Sequence, residues 1–182
     1  MRTIKTYHAL ILASALTILL FSCRDLRTIN RDFDAKPISF DLPAIPVSGP
    51  FDFTQRSPIN LKSQIEAIKI PLVTLKGFAA KEVVVELQDT TGGQPVTFDV
   101  LDNVYIYVST DSLPEALIAF KDPVPQANST TLTMDTNTDI NLLPYAKSDH
   151  IIYRVRGQSN KATTKPIRMS IKIKWRVTAE IL

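Results

Sequence analysis

The chain is nearly without thiol and imidazole: one cysteine, Cys23, and two histidines among 182 residues. One thiol cannot form an internal disulfide, and a structural zinc site needs several Cys or His ligands that this sequence does not supply. Glycine is scarce, at five residues. Gly92-Gly93 in "TTGGQP" is a lone pair with turn chemistry, so no glycine-rich phosphate loop is present. Charge of one sign is also missing. The formal net charge is +3, far from the Lys/Arg excess that a nucleic-acid partner requires. Beyond the N-terminal segment no apolar run approaches the roughly 20 residues of a membrane-spanning helix. There is no internal repeat and no low-complexity tract.

What is present begins at the N-terminus. Residues 1–8 carry Arg2, Lys5 and His8 and no acid; residues 9–22, "ALILASALTILLFS", carry no charge. A basic stretch followed by a short apolar one has the layout of a secretory signal peptide. A buried core helix would show a polar face, and this segment has none. The run stops at Cys23, and Leu20-Phe21-Ser22-Cys23 resembles the lipobox of bacterial lipoproteins: aliphatic, variable, small, cysteine. The resemblance implies cleavage before Cys23, a diacylglycerol on its thiol and an acylated new amine. It also implies sorting to the outer membrane, because Arg24 rather than aspartate follows the cysteine; periplasmic and cell-surface faces both stay open. Two or three acyl chains, at about 0.8 kcal/mol per buried methylene, anchor a protein essentially permanently. Cys23 would then have no thiol for catalysis or metal. Removal of residues 1–22 takes Arg2 and Lys5 with it, so 21 cations become 19 against 18 anions, a net charge near +1 on a 160-residue chain.

That length suits one domain. Residues 23–36 read as the lipidated cysteine and a polar tether, and 37–182 as the folded domain. "SPINLKSQIEAI" is the best helical stretch. Ser57 is placed to cap, Pro58 suits the first turn, and Leu61, Ile65 and Ile68 recur at helical spacing. Ile38, Phe40 and Leu42 alternate with polar residues among prolines, as on an edge strand. "KEVVVELQ", "NVYIYVS", "EALIAFK", "TTLTMD" and "HIIYRVR" follow as strands separated by turn residues. In "PIRMSIKIKWRVTAEIL" every second residue from Ile167 to Ile181 is apolar, a period of 2 with one wet face. The expected fold is all-β, an antiparallel two-sheet sandwich of immunoglobulin-like look with at most one short helix. An up-and-down barrel is the alternative. The strand pattern resembles that of uncharacterised β-sandwich lipoproteins of Gram-negative bacteria, a likeness that brings no active site with it.

Candidate site residues are few. Ser148-Asp149-His150 suggests a triad, but neighbouring strand residues point to opposite faces. "DTNTDI" opens like a calcium loop, yet Ile140 stands where glycine should be and Ala146 where glutamate should be. Neither supports a metal or cofactor. If Val104, Ile106 and Val108 face the core, Tyr105 and Tyr107 share the other face as a ligand platform; a shielding aromatic ladder, or inverted polarity with the tyrosines inside, is the plainer reading. Arg154 and Arg156 alternate on one strand, and Arg168, Lys172, Lys174 and Arg176 on the last. Were these strands neighbours, they would form a basic strip for anionic headgroups or acidic glycans. The resulting expectation is a membrane-anchored, non-catalytic binding or scaffold module holding an envelope protein or glycan. A surface glycan-binding or adhesive protein comes second, and a hydrolase with paired carboxylates third.

Overall fold

The computed structural model describes residues 28–45, 48–57, 61–70, 75–88, 96–163 and 166–180. The expected signal segment, Cys23, residues 89–95 of the expected turn, and Pro58 lie outside these. Among the described residues ten strands carry the fold: β1 (Thr28–Asp34), β2 (Ile38–Leu42), β3 (Gly49–Arg56), β4 (Leu75–Gln88), β5 (Leu101–Ser109), β6 (Ala116–Lys121), β7 (Thr131–Thr133), β8 (Asp135–Thr136), β9 (Ile152–Ser159) and β10 (Ile167–Glu180). The helical stretch forms α1 (Leu61–Ala67), whose Leu61 and Ile65 enter the core. It stops before Lys69, which takes a left-handed φ of 60°. Among the described residues a single turn, α2 (Leu143–Ala146), and a 3₁₀ turn at Phe98–Val100 are the other helical pieces.

Every pairing is antiparallel, and the pairs nest: β2 with β10, β3 with β9, β4 with β7, β5 with β6. The chain is thus one long ribbon closed by the β5–β6 hairpin. Folded over, it lays β10 along β4 and β9 along β5. Two sheets result, β1/β2-β10-β4-β7 and β3-β9-β5-β6-β8. The two-sheet sandwich agrees with the sequence reading, but the strand order is that of a jelly roll. An immunoglobulin sandwich pairs its first two strands with each other. Here β1 and β2 both pair, in tandem, with the last strand.

The alternation in β10 has its expected consequence. Ile167, Met169, Ile171, Ile173, Trp175, Val177 and Ala179 are all buried. Trp175 stacks on Phe78 with ring centroids 4.7 Å apart. The inner faces of both sheets meet in one core cluster.

The expected tether needs correction. Residues 28–34 are not a solvated leash but strand β1, paired with β10 from Thr28↔Glu180 to Asp34↔Lys174. Ile29 and Phe33 pack against the core, while Asp32 binds Arg176 and Lys81. Alternating Ile29 and Phe33 supply strand period, but two apolar residues in seven look like tether composition. Arg31 has inward parity and is still exposed, an inward charge that discourages pairing at a sheet edge.

Thr28, Glu180 and Leu75 lie at one end of the first sheet. Asn141 Nδ2 donates to Lys76 O (3.3 Å) and Tyr145 OH to Pro114 O (3.0 Å), so the 110–115 and 141–150 connections crown that same end.

Candidate functional site

The outward side chains of the second sheet gather the residues of greatest interest. Val104, Ile106 and Val108 are buried, at 0–1 % exposure, so β5 directs Asn103, Tyr105 and Tyr107 outward. Across the register Tyr105 faces Arg156 and Tyr107 faces Arg154; Arg156 in turn faces Asp52 on β3. The two tyrosines and the first two arginines, read from the sequence as separate candidates, therefore share one surface. Both tyrosines are half-buried.

The geometry of this cluster is fixed by charge. Arg154 Nε donates to Asp52 Oδ1 (2.6 Å), Arg154 Nη1 to Glu115 Oε1 (2.6 Å), and Arg156 Nε to Asp52 Oδ2 (3.3 Å). Arg156 Nη2 lies 3.1 Å from Glu115 Oε2. Two guanidinia are thus clamped between two carboxylates. Hydrogen bonding from Arg154 holds the Asp52 carboxyl below its ordinary range, and Asp52 and Glu115 raise Arg154. The Arg156 guanidinium carbon sits 5.1 Å from the centroid of the Tyr107 ring, a cation–π contact. Tyr105 OH donates to the Asp122 carboxylate, which pushes the phenol's pKa up. A shallow basin of about 560 Å³ opens here, lined by Asp52, Asn103, Tyr105, Tyr107, Arg156 and Gln158 among others.

The basic strip does not form. β9 belongs to the second sheet and β10 to the first, so their outward cations lie on opposite sides of the sandwich. On the first sheet every expected cation is matched. Arg168 Nε donates to Asp41 Oδ1 (2.7 Å), Lys172 Nζ to Glu86 Oε1 (2.6 Å), Lys174 Nζ to Glu82 Oε2 (3.1 Å) and Arg176 Nε to Asp32 Oδ1 (2.9 Å). These pairs hold Asp32 and Asp41 below the usual carboxylate range. The strip fails because alternating charge on adjacent antiparallel strands pairs off across the ladder.

The minor candidates resolve as ordinary structure. Ser148 Oγ donates to Pro144 O (3.5 Å), not to His150. Lys121 Nζ donates to both Asp135 carboxylate oxygens (3.1 and 3.3 Å), which takes up the first acid of the calcium-like stretch. Among the described residues no three His, Cys, Asp or Glu cluster as metal ligands, and no helix is long and apolar enough to cross a membrane.

Sequence reasoning missed Asp52, Glu115, Asn103 and Gln158. Asp52, alternating between Phe51 and Phe53, carried an outward signal; Glu115, in a loop between Pro114 and β6, carried none.

No protein-family model and no curated protein matches the chain. Among solved structures it is similar to the decameric BFDV capsid protein, at 11% identity and a TM-score of 0.33, over 83% of this chain and 99% of that one. It is also similar to desmodium yellow mottle tymovirus, at 8% identity and a TM-score of 0.25, over 85% of this chain and 90% of that one. Likeness at these scores carries no argument about what the chain does.

Proposed function

We propose that the chain is a non-catalytic binding module of the bacterial cell envelope, anchored in the outer membrane by acyl chains on Cys23, with the outward face of the β3-β9-β5-β6 sheet as its contact surface. The observation that carries this reading is the convergence of Tyr105, Tyr107, Arg154 and Arg156 on one exposed face. Rigid aromatic and guanidinium groups held by a β-scaffold are what recognition surfaces use. Asp52 and Glu115 do approach each other through the two arginines. Both carboxylates, however, are already engaged by the same two guanidinia, an arrangement that fixes them as hydrogen-bonding groups. That favours binding over hydrolysis. The anchor rests on the lipobox resemblance and on the uncharged run before it.

The test replaces Tyr107 with a photo-crosslinking amino acid in intact cells, alongside a Cys23→Ser precursor. Crosslinks at position 107 that vanish from a probe at Asp41, on the opposite sheet, support the contact surface. Wild-type protein that stays in the soluble fraction and takes up no labelled fatty acid refutes the anchor.

A further inference from the structure

The charge balance and polar inventory of the basin narrow the chemistry of its ligand. Arg156 lines the basin and Arg154 stands beside it; both charges are paired with Asp52 and Glu115, which take up only some of the five N–H donors of each guanidinium. Asp122 adds a third carboxylate at the rim, where it accepts from Tyr105 OH. An anionic ligand would have to displace a carboxylate already in place on Arg156. Asn103 and Gln158 also line the basin, and no hydrogen bond of either side-chain amide is found among the described residues. Each amide offers two donors and an acceptor of no net charge. The clamped guanidinium and carboxylate add planar donors and acceptors in fixed positions, with no rotamer left to freeze on binding. Tyr105 and Tyr107 supply amphipathic ring surface beside them. The basin is shallow and open, which suits one segment of an extended chain better than an enclosed small molecule.

From these features we infer that the basin binds uncharged saccharide units of a glycan, with ring C–H faces against the tyrosines and hydroxyls on Asn103, Gln158, Asp52 and Arg156. This rests on the reading of the β3-β9-β5-β6 face as the contact surface. The ion pairs act as a preorganised hydrogen-bonding frame, so binding is insensitive to salt.

The test is affinity electrophoresis of the full-length protein through gels holding neutral polysaccharides (dextran, mannan, galactan, soluble starch) or anionic ones (heparin, polygalacturonate). The expected result is retardation by at least one neutral polysaccharide, unchanged by 0.5 M salt as an order of magnitude well beyond screening. Tyr107→Ala and Asn103→Ala, at unchanged melting temperature, each weaken it by about tenfold. Retardation by anionic polysaccharides alone, relieved by salt, overturns the neutral class. No retardation, with a protein crosslinked at position 107, overturns the saccharide inference and leaves the contact surface standing. No retardation and no crosslink overturns both.

Discussion

Gly157→Ala is expected to destabilise the protein, although alanine in place of a strand glycine normally helps. The ordinary gain, from a less flexible unfolded chain, is about 0.4–1 kcal/mol. Here the new Cβ would lie 2.3 Å from the Asn103 carbonyl oxygen and 2.5 and 2.9 Å from two atoms of the Phe51 ring. β9 is a central strand, with Gly157 opposite Phe51 of β3 on one side and Val104 of β5 on the other. Movement away from the Asn103 carbonyl therefore drives β9 toward β3, where the Phe51 ring already covers the glycine. Overpacking of this kind costs about 1–3 kcal/mol, and contacts this short on two sides place the variant at the upper end. At about 2–4 °C per kcal/mol for a chain of this size, the melting temperature should fall by roughly 5–10 °C.

The assay is thermal unfolding followed by circular dichroism, with urea unfolding as a second measure. Phe51→Leu is close to volume-conserving in class and should cost about 1 kcal/mol by itself. Combined with Gly157→Ala it relieves the ring contact and leaves the backbone oxygen where it was. The double variant should recover only part of the loss. A Gly157→Ala protein as stable as the parent would refute the β3-β9-β5 register on which the basin depends.

Other outcomes follow from the same geometry. Trp175→Ala should cost about 3–5 kcal/mol, whereas Trp175→Phe should cost under about 1.5, because indole Nε1 is buried without a partner among the described residues and phenylalanine removes that orphan donor. Asp32, Asp41, Asp52, Asp99 and Asp111 all titrate below their ordinary value when folded, so their contribution is present above about pH 4 and is lost as pH falls through the folded values. Melting temperature should thus hold between about pH 5 and 8 and drop below pH 4; a maximum at acid pH would contradict the pairing. Unacylated Cys23→Ser protein should bind anionic and neutral vesicles equally, and salt-sensitive preference for anionic ones would mean unpaired cations. With β1 starting at Thr28, an anchor at Cys23, if acylated as proposed, would reach at most about 18 Å over five residues. A fluorophore at Lys147 should accordingly be quenched by labelled headgroups more than one at Asn128, and the reverse order would refute a short leash.

How far the sequence could be read depended on whether a feature was local. The two-residue period of β10 declared its buried face without reference to any partner, and the parity of "NVYIYVS" put Tyr105 and Tyr107 on one face without saying whether that face was the outer one. The Leu61/Ile65 spacing marked α1 in the same way. Strand order is non-local. Nothing in "HIIYRVR" says whether its neighbour is β10 or β5, and the difference moves Arg154 and Arg156 to the opposite side of the molecule. The nesting of β2 with β10 joins residues 38–42 to residues 167–171, a pairing no turn motif announces. β1 was hidden for a related reason. Its stability comes from Arg176, Lys81 and the edge of β10, so its own composition resembles a linker.

The two outward faces show what distinguishes a ladder from a binding surface. On the first sheet, Arg168, Lys172, Lys174 and Arg176 each meet a carboxylate on β2, β4 or β1. A one-residue slip of β10 would set these charges against the core and remove every pair, so the alternation specifies register in a domain with no disulfide to do so. On such a face the charges are already matched to one another. The second sheet has the same device in Asp52, Glu115, Arg154 and Arg156, but beside it stand two tyrosines and two amides that pairing does not consume. Charge alone would have ranked the first face higher, since it holds four of the six candidate cations. The uncommitted groups, not the charged ones, make the second face the one with the capacity to bind.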